Sequence, residues 1–257
     1  MSLRRFFDFR ESRDEAKPFL QHLEDLRVTI FKMAAVLLGA MMLCFAFRSE
    51  VATFVQRPLA GVDPSHPLIL QSFGVADSFT ISLELAFYGG MVLSFPFLLW
   101  FLAGFVLPAL TPQEKRMLFP AGLVGFGLFL IGASFAFYGV LPRALDFFLK
   151  DAKATMNWQP NWPVREYYSF TTQFVISFGL AFELPVVVLL LVKLGIVDFA
   201  FLSRTRAFAI VIILVLAAIL APTPDVLTLV LMGAPMYLLY ELCIGIAWFM
   251  ERKKSGE

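Results

Sequence analysis

Two groups of acidic residues stand where acids are costly. The first lies inside apolar stretches: Glu84, Glu183 and Glu241. Glu183 is the hardest to excuse, because "ISFGLAFELPVVVLLLV" (176–192) holds no other charge, and Pro185 follows it two residues later. Ionisable groups at such depth face a bundle interior or a water-filled cavity and pair with a polar group there. Pro185 donates no backbone N–H, so it frees a carbonyl one turn back and lets the helix bend. The chemistry on offer is a carboxyl aimed at a polar side chain on a neighbouring helix, in this chain or in a partner. The plainer reading is a structural hydrogen bond between helices. Glu84 lies close enough to a span end to reach the interface, and Glu241 sits where a polar neighbour is within reach.

The second group lies at the edges of apolar segments. "PFLQHLEDLRVTIF" (18–31) carries His22, Glu24, Asp25 and Arg27, and "LPALTPQEKRM" (107–117) carries Glu114. A membrane edge on the cytoplasmic side normally favours Lys and Arg. Acids clustered there suit a cationic ligand, and two carboxylates can each grip a guanidinium bidentately, a geometry lysine does not reproduce. The plainer reading is a solvated lead-in helix, with Glu114 paired to Lys115 or Arg116. Asp225, in "LAPTPDVLT" (220–228), is placed to cap the helix that follows.

Other chemistries lack their residues. There is no HExxH, no phosphate-binding glycine loop and no Ser/His/Asp set, so no enzyme is expected. The two histidines, His22 and His66, stand far apart, and Cys44 and Cys243 both lie in apolar runs. Neither a metal, a cofactor nor a disulfide is expected, and nothing points to nucleic acid.

The elements that must position these acids are membrane helices. The chain has 257 residues, of which 59% are hydrophobic and 16% aromatic, more apolar surface than a soluble domain of this size can hide. Six continuous segments, roughly 28–47, 76–107, 117–138, 167–192, 207–221 and 226–250, predict six transmembrane helices in a single domain. If the N-terminus is inside, 15 of the 21 Lys and Arg fall on the cytoplasmic side. Both termini are therefore expected in the cytoplasm. The second segment exceeds a ~30 Å hydrocarbon core, whereas the fifth and sixth are short and predict local membrane thinning. The long outer loops, 48–74 and 141–168, are expected to cap the outer face, with Trp158, Trp162, Tyr167 and Tyr168 in an interfacial belt. Arg4 and Arg5 look like an export signal, but "DFRESRDEAK" follows in place of an apolar core, so this segment is expected to be a cytoplasmic arm.

In their order and spacing, "HLEDLR" (22–27), "RPL" (57–59), "ALTPQEKR" (109–116), "FGLAFELPVV" (178–187), "PTPDV" (222–226) and "APMYLLYE" (234–241) resemble the TatC family, the polytopic core subunit of the twin-arginine protein translocase. The resemblance covers nearly the whole chain. It implies an all-α membrane protein with six helices in a concave, glove-like bundle. It also implies a bacterial inner-membrane location and an oligomeric complex with single-span TatA- and TatB-type partners, driven by the proton gradient. The recognition acids for paired arginines of signal peptides fall on Asp25 and Glu114, with Glu24, Arg27 and His22 in the same motif. Asp25 is a departure, since the family usually has Glu there. Pro58 matches a first-outer-loop position, and Glu183 and Pro185 match the intramembrane site where the partner helices pack. The rival readings are a proton-coupled small-molecule transporter using Glu84, Glu183 and Glu241 as relays, and a passive membrane scaffold.

Overall fold

The computed structural model describes residues 19–62, 70–106, 112–158, 161–223 and 225–254. Its described residues are helical throughout, apart from short connections and one isolated bridge between Gln71 and Pro163. In chain order the helices are α1 (Phe19–Ala46), α2 (Arg48–Val55), α3 (Arg57–Ala60), α4 (Asp77–Val106) and α5 (Pro112–Ser134). They continue with α6 (Leu141–Ala154), α7 (Val164–Ala181), α8 (Leu184–Lys193), α9 (Phe199–Arg204), α10 (Arg206–Leu220) and α11 (Val226–Lys254).

Among the described residues, five helical stretches are long and apolar enough to cross a membrane, and α10 is a shorter sixth. Large apolar side chains stand exposed along α1 and α10, such as Met42 at 75% and Phe208 at 73%. Surfaces of that kind belong against lipid, because every backbone group on them is already satisfied within the helix.

The principal packing runs in a line. α1 lies on α4, α4 on α5 and α7, α5 on α7 and α8, α8 on α11, and α11 on α10. At its centre Phe95 stacks on Phe129 with ring centroids 3.9 Å apart, and Phe129 and Phe174 are fully buried. Small residues permit the close approaches, as is usual between helices in lipid. A Cβ on Gly132 of α5 would lie 2.6 Å from Phe182 Cγ and 2.8 Å from the Phe178 carbonyl oxygen. Gly132→Ala is therefore expected to cost about 1–3 kcal/mol, read as a lower thermal midpoint in detergent.

The third crossing does not stop where the expected outer loop begins. α5 passes through a π-helical turn at Phe135–Val140 into α6. Pro142 cannot donate to the carbonyl one turn earlier, which widens the local winding, and Arg143 Nη1 donates to the Gly139 carbonyl at 2.8 Å. In α6, Leu141, Ala144, Leu145 and Leu149 form a buried stripe at helical spacing.

α6, α2, α3 and the start of α7 form a cap over one end of the bundle. Tyr167 and Tyr168 correct the interfacial-belt expectation, since they are 4% and 3% exposed. The Tyr167 hydroxyl donates to the Val55 carbonyl at 2.9 Å, and the Tyr168 hydroxyl donates to that of Ala52 at 3.3 Å while accepting from Gln56 Nε2. Trp158 does stand exposed, at 65%. Gln71 ties the two connections together: its N–H donates to the Trp162 carbonyl at 3.1 Å, and its carbonyl accepts from the Val164 N–H at 2.8 Å.

The fifth helix is short, at 15 residues. The expectation of a short sixth needs correction: α11 runs 29 residues, to Lys254. The apolar run is broken at Glu241 but resumes through Leu242–Met250, so the helix continues as one long crossing with its few polar groups paired. Glu241 pairs with Arg206, and Glu251 accepts from the Phe199 backbone N–H at 2.6 Å. α4 likewise stays continuous through Pro96.

Candidate functional site

α1 and α4 form an antiparallel pair, fixed at one end by Phe45 against Phe79 and at the other by His22 stacked on Phe105, with centroids 4.5 Å apart. The second contact brings the start of α1, with its acids, to the end of α4. The short connection from there leads into α5, whose first turn carries Glu114. Side chains of the first residues of α5, Glu114 included, lie outside the described residues. This terminal end of the bundle, opposite the cap, gathers both acidic segments.

On α1, Glu24 and Asp25 are successive residues and point about 100° apart. Glu24 is exposed and sits 3.6 Å from Arg27, which also lies over the Phe31 ring. Such an exposed pair contributes at most about 1 kcal/mol, so a competing cation displaces it easily. Asp25 is half-buried, and its carbonyl accepts from the Thr29 hydroxyl at 2.8 Å.

The second site is the break in the fourth crossing. α7 ends at Ala181 and α8 begins at Leu184, leaving Phe182 and Glu183 as a turn inside an otherwise lipid-length stretch. Pro185, buried in the first turn of α8, has no N–H for the Ala181 carbonyl, which explains the interruption. Backbone bonds from Phe182 N–H to Phe178 and from Glu183 N–H to Leu180 close the turn. The Glu183 side chain lies against α5: a Cβ on Gly125 would fall 2.8 Å from Oε2. Oε1 is buried and accepts no hydrogen bond. A buried acceptor without a donor costs about 1–3 kcal/mol.

Glu241 differs. It receives Arg206 through Nε at 3.0 Å and Nη2 at 3.1 Å, plus the Tyr237 hydroxyl at 2.7 Å. That bidentate pair joins α10 to α11.

Pro58 and Leu59 of α3 are buried in the cap core. Asp225 caps α11: Oδ1 accepts from the Thr228 N–H at 2.8 Å, and Oδ2 accepts from the Thr223 and Thr228 hydroxyls at 2.6 and 2.7 Å. Burial alone would raise the Asp225 carboxyl, but these bonds outweigh it and hold it below the usual carboxylate range. A depressed value stabilises the fold above the unfolded value of about 4, and the gain is lost as pH falls through the lowered one. Asp225→Ala is expected to cost about 1 kcal/mol at neutral pH. The same variant should narrow its gap to the parent chain below pH 4, as thermal unfolding in detergent would show.

Cys44 and Cys243 are both free thiols. Among the described residues, no three His, Cys, Asp or Glu side chains come together as a metal would require.

A family model described as "Sec-independent protein translocase protein (TatC)" matches residues 21–235. The chain belongs to the TatC family. A TatC protein of Carboxydothermus hydrogenoformans is 35% identical over 246 residues, covering 95% of this chain and 98% of that one. A second, from Akkermansia muciniphila, is 46% identical over 188 residues, 73% of this chain and 54% of that protein. A crystal structure of a twin-arginine translocase receptor, TatC, superposes with TM-score 0.79 at 33% identity, covering 89% of this chain and 98% of that one. TatC membership makes this a multi-pass membrane protein of Sec-independent protein transport, and the all-helical fold matches that crystal structure.

Sequence reasoning missed the partner of the Glu183 side chain, which is a glycine. It also missed α6, although the stripe from Leu141 to Leu149 is legible at helical spacing.

Proposed function

We propose that this chain is the receptor of a twin-arginine translocase. It binds the paired arginines of a signal peptide through Asp25 and Glu114, with Glu24, Arg27 and His22 shaping the same surface. The observation that carries this is the His22–Phe105 stack, which draws the acidic start of α1 to the end of α4, from which the chain runs on into the turn of α5 that bears Glu114. In this reading the terminal end faces the cytoplasm of a bacterial inner membrane, as the distribution of Lys and Arg favours. The paired arginines of folded cargo then meet carboxylates at the membrane edge.

Glu183 and Pro185 form the docking position for a TatA- or TatB-type helix. The support is the buried Oε1 without a donor, set at a break in the fourth crossing. A polar side chain from a single-span partner would satisfy it. Transport is then driven by the proton gradient, in an oligomeric complex. The transporter reading needs Glu84, Glu183 and Glu241 in communication, whereas Glu241 is already saturated by Arg206 and Tyr237.

Site-specific photocrosslinking tests both halves. Probes at positions 25 and 114 should capture a twin-arginine peptide and lose it when its arginines become lysines. A probe at 183 should capture the single-span partners, and Glu183→Ala should weaken their association. Failure of the peptide adducts sinks the receptor reading, and an unchanged partner association in Glu183→Ala sinks the docking role.

A further inference from the structure

Under the cap, away from both acidic sites, lies a cavity of about 420 Å³, within the range of small-ligand sites. One wall is a stripe of α7 in which Glu166, Ser169 and Gln173 recur at helical spacing. The rest of the lining includes Phe148, Trp162 and the Pro222–Thr223 turn. Phe148 meets Phe170 edge-on at 6.1 Å, so the apolar side is a set of ring faces and edges.

The polar groups form a ladder. Glu166, in the first turn of α7, is exposed; Ser169 is half-buried one turn deeper; Gln173 lies two turns in, beside the buried Thr172 and Phe174. At about 1.5 Å per residue, Glu166 and Gln173 are separated by roughly 10 Å along the helix. A carboxylate beside aromatic rings suits an ammonium group. A hydroxyl and then an amide below it suit a phosphate and an ester carbonyl. Those groups follow one another in that order, over about that length, in a phospholipid with a primary amine headgroup.

We infer that this cavity holds one molecule of an amine-headed phospholipid, with its ammonium at Glu166, its ester region at Gln173 and its chains leaving past Phe148. Glu166 also sits favourably at a helix N-terminus, so the test must read lipid and not stability alone.

The full-length protein is purified with phosphatidylethanolamine and phosphatidylglycerol of identical chains at equal concentration, and retained lipid is read by native mass spectrometry. The unmodified chain should hold the amine lipid at least fivefold over the glycerol lipid. Glu166→Gln should bring that ratio close to one. Gln173→Leu should lower retention of both lipids, and free ethanolamine at millimolar levels should not displace the bound lipid. Equal retention of the two lipids by the unmodified chain overturns the inference, as does an unchanged ratio in Glu166→Gln. Displacement by ethanolamine alone reassigns the cavity to a small soluble amine, which also overturns the lipid assignment. Circular dichroism of each variant confirms that the fold is intact.

Discussion

Neutralising both recognition acids, Asp25→Asn with Glu114→Gln, is expected to weaken binding of a twin-arginine peptide by about 100- to 10,000-fold. Each substitution replaces a charge-assisted bidentate contact worth about 1.5–3 kcal/mol by a neutral amide, and each 1.4 kcal/mol is a factor of ten. The single variants should fall between the parent and the double. Insertion and thermal stability should stay unchanged, because Asp25 lies on a helix edge rather than in the core. Titration of a labelled peptide against protein in nanodiscs measures the affinity. A passive scaffold would tolerate both changes, so equal affinities for parent and double variant would refute the receptor role.

The second large effect is expected far from either ligand. A Cβ on Gly90 would lie 2.9 Å from the backbone nitrogen of Met41 and 3.0 Å from its Cα. Neither atom can step aside without moving α1. α1 has α4 as its principal neighbour, so nothing else restores its position. Gly90→Leu should therefore part the two helices and separate His22 from Phe105. Cysteines placed at 22 and 105 in a background without Cys44 and Cys243 would report this as a disulfide yield reduced at least twofold. Peptide adducts at position 25 should fall about tenfold in parallel. A normal disulfide yield with lost adducts would place the defect elsewhere.

The sequence carried the crossings well, since lipid demands continuous apolar helices whose ends are marked by charge. It also exposed the break at Glu183, because Pro185 and an acid are both conspicuous in such a setting. Pairings between distant segments were not legible. Tyr167 and Tyr168 have the composition of interfacial anchors, and only the carbonyls of Val55 and Ala52 turn them inward. Glu241 revealed its charge but not its mate, since Arg206 is on another helix and 35 residues away. α6 was mistaken for loop because its mixed charge hid a narrow apolar stripe. The glycines at 90, 125 and 132 read as ordinary small residues, and only the packed helices show which neighbour each one admits.

The tyrosine that closes the cap has a bearing on biogenesis. Tyr167 is emitted 112 residues after the carbonyl it bonds. At a synthesis rate of about 5–20 residues per second, α2 waits roughly 6–22 s before its anchor exists. Throughout that interval the first hairpin stands without a roof, and the Val55 carbonyl lacks the hydroxyl that later donates to it. Closure is then a late, long-range event that comes after four further helices, α3 to α6, have been made. Membrane chaperones that recognise unassembled hairpins have that interval in which to act, and variants at Tyr167 should lengthen it without altering any earlier step of insertion.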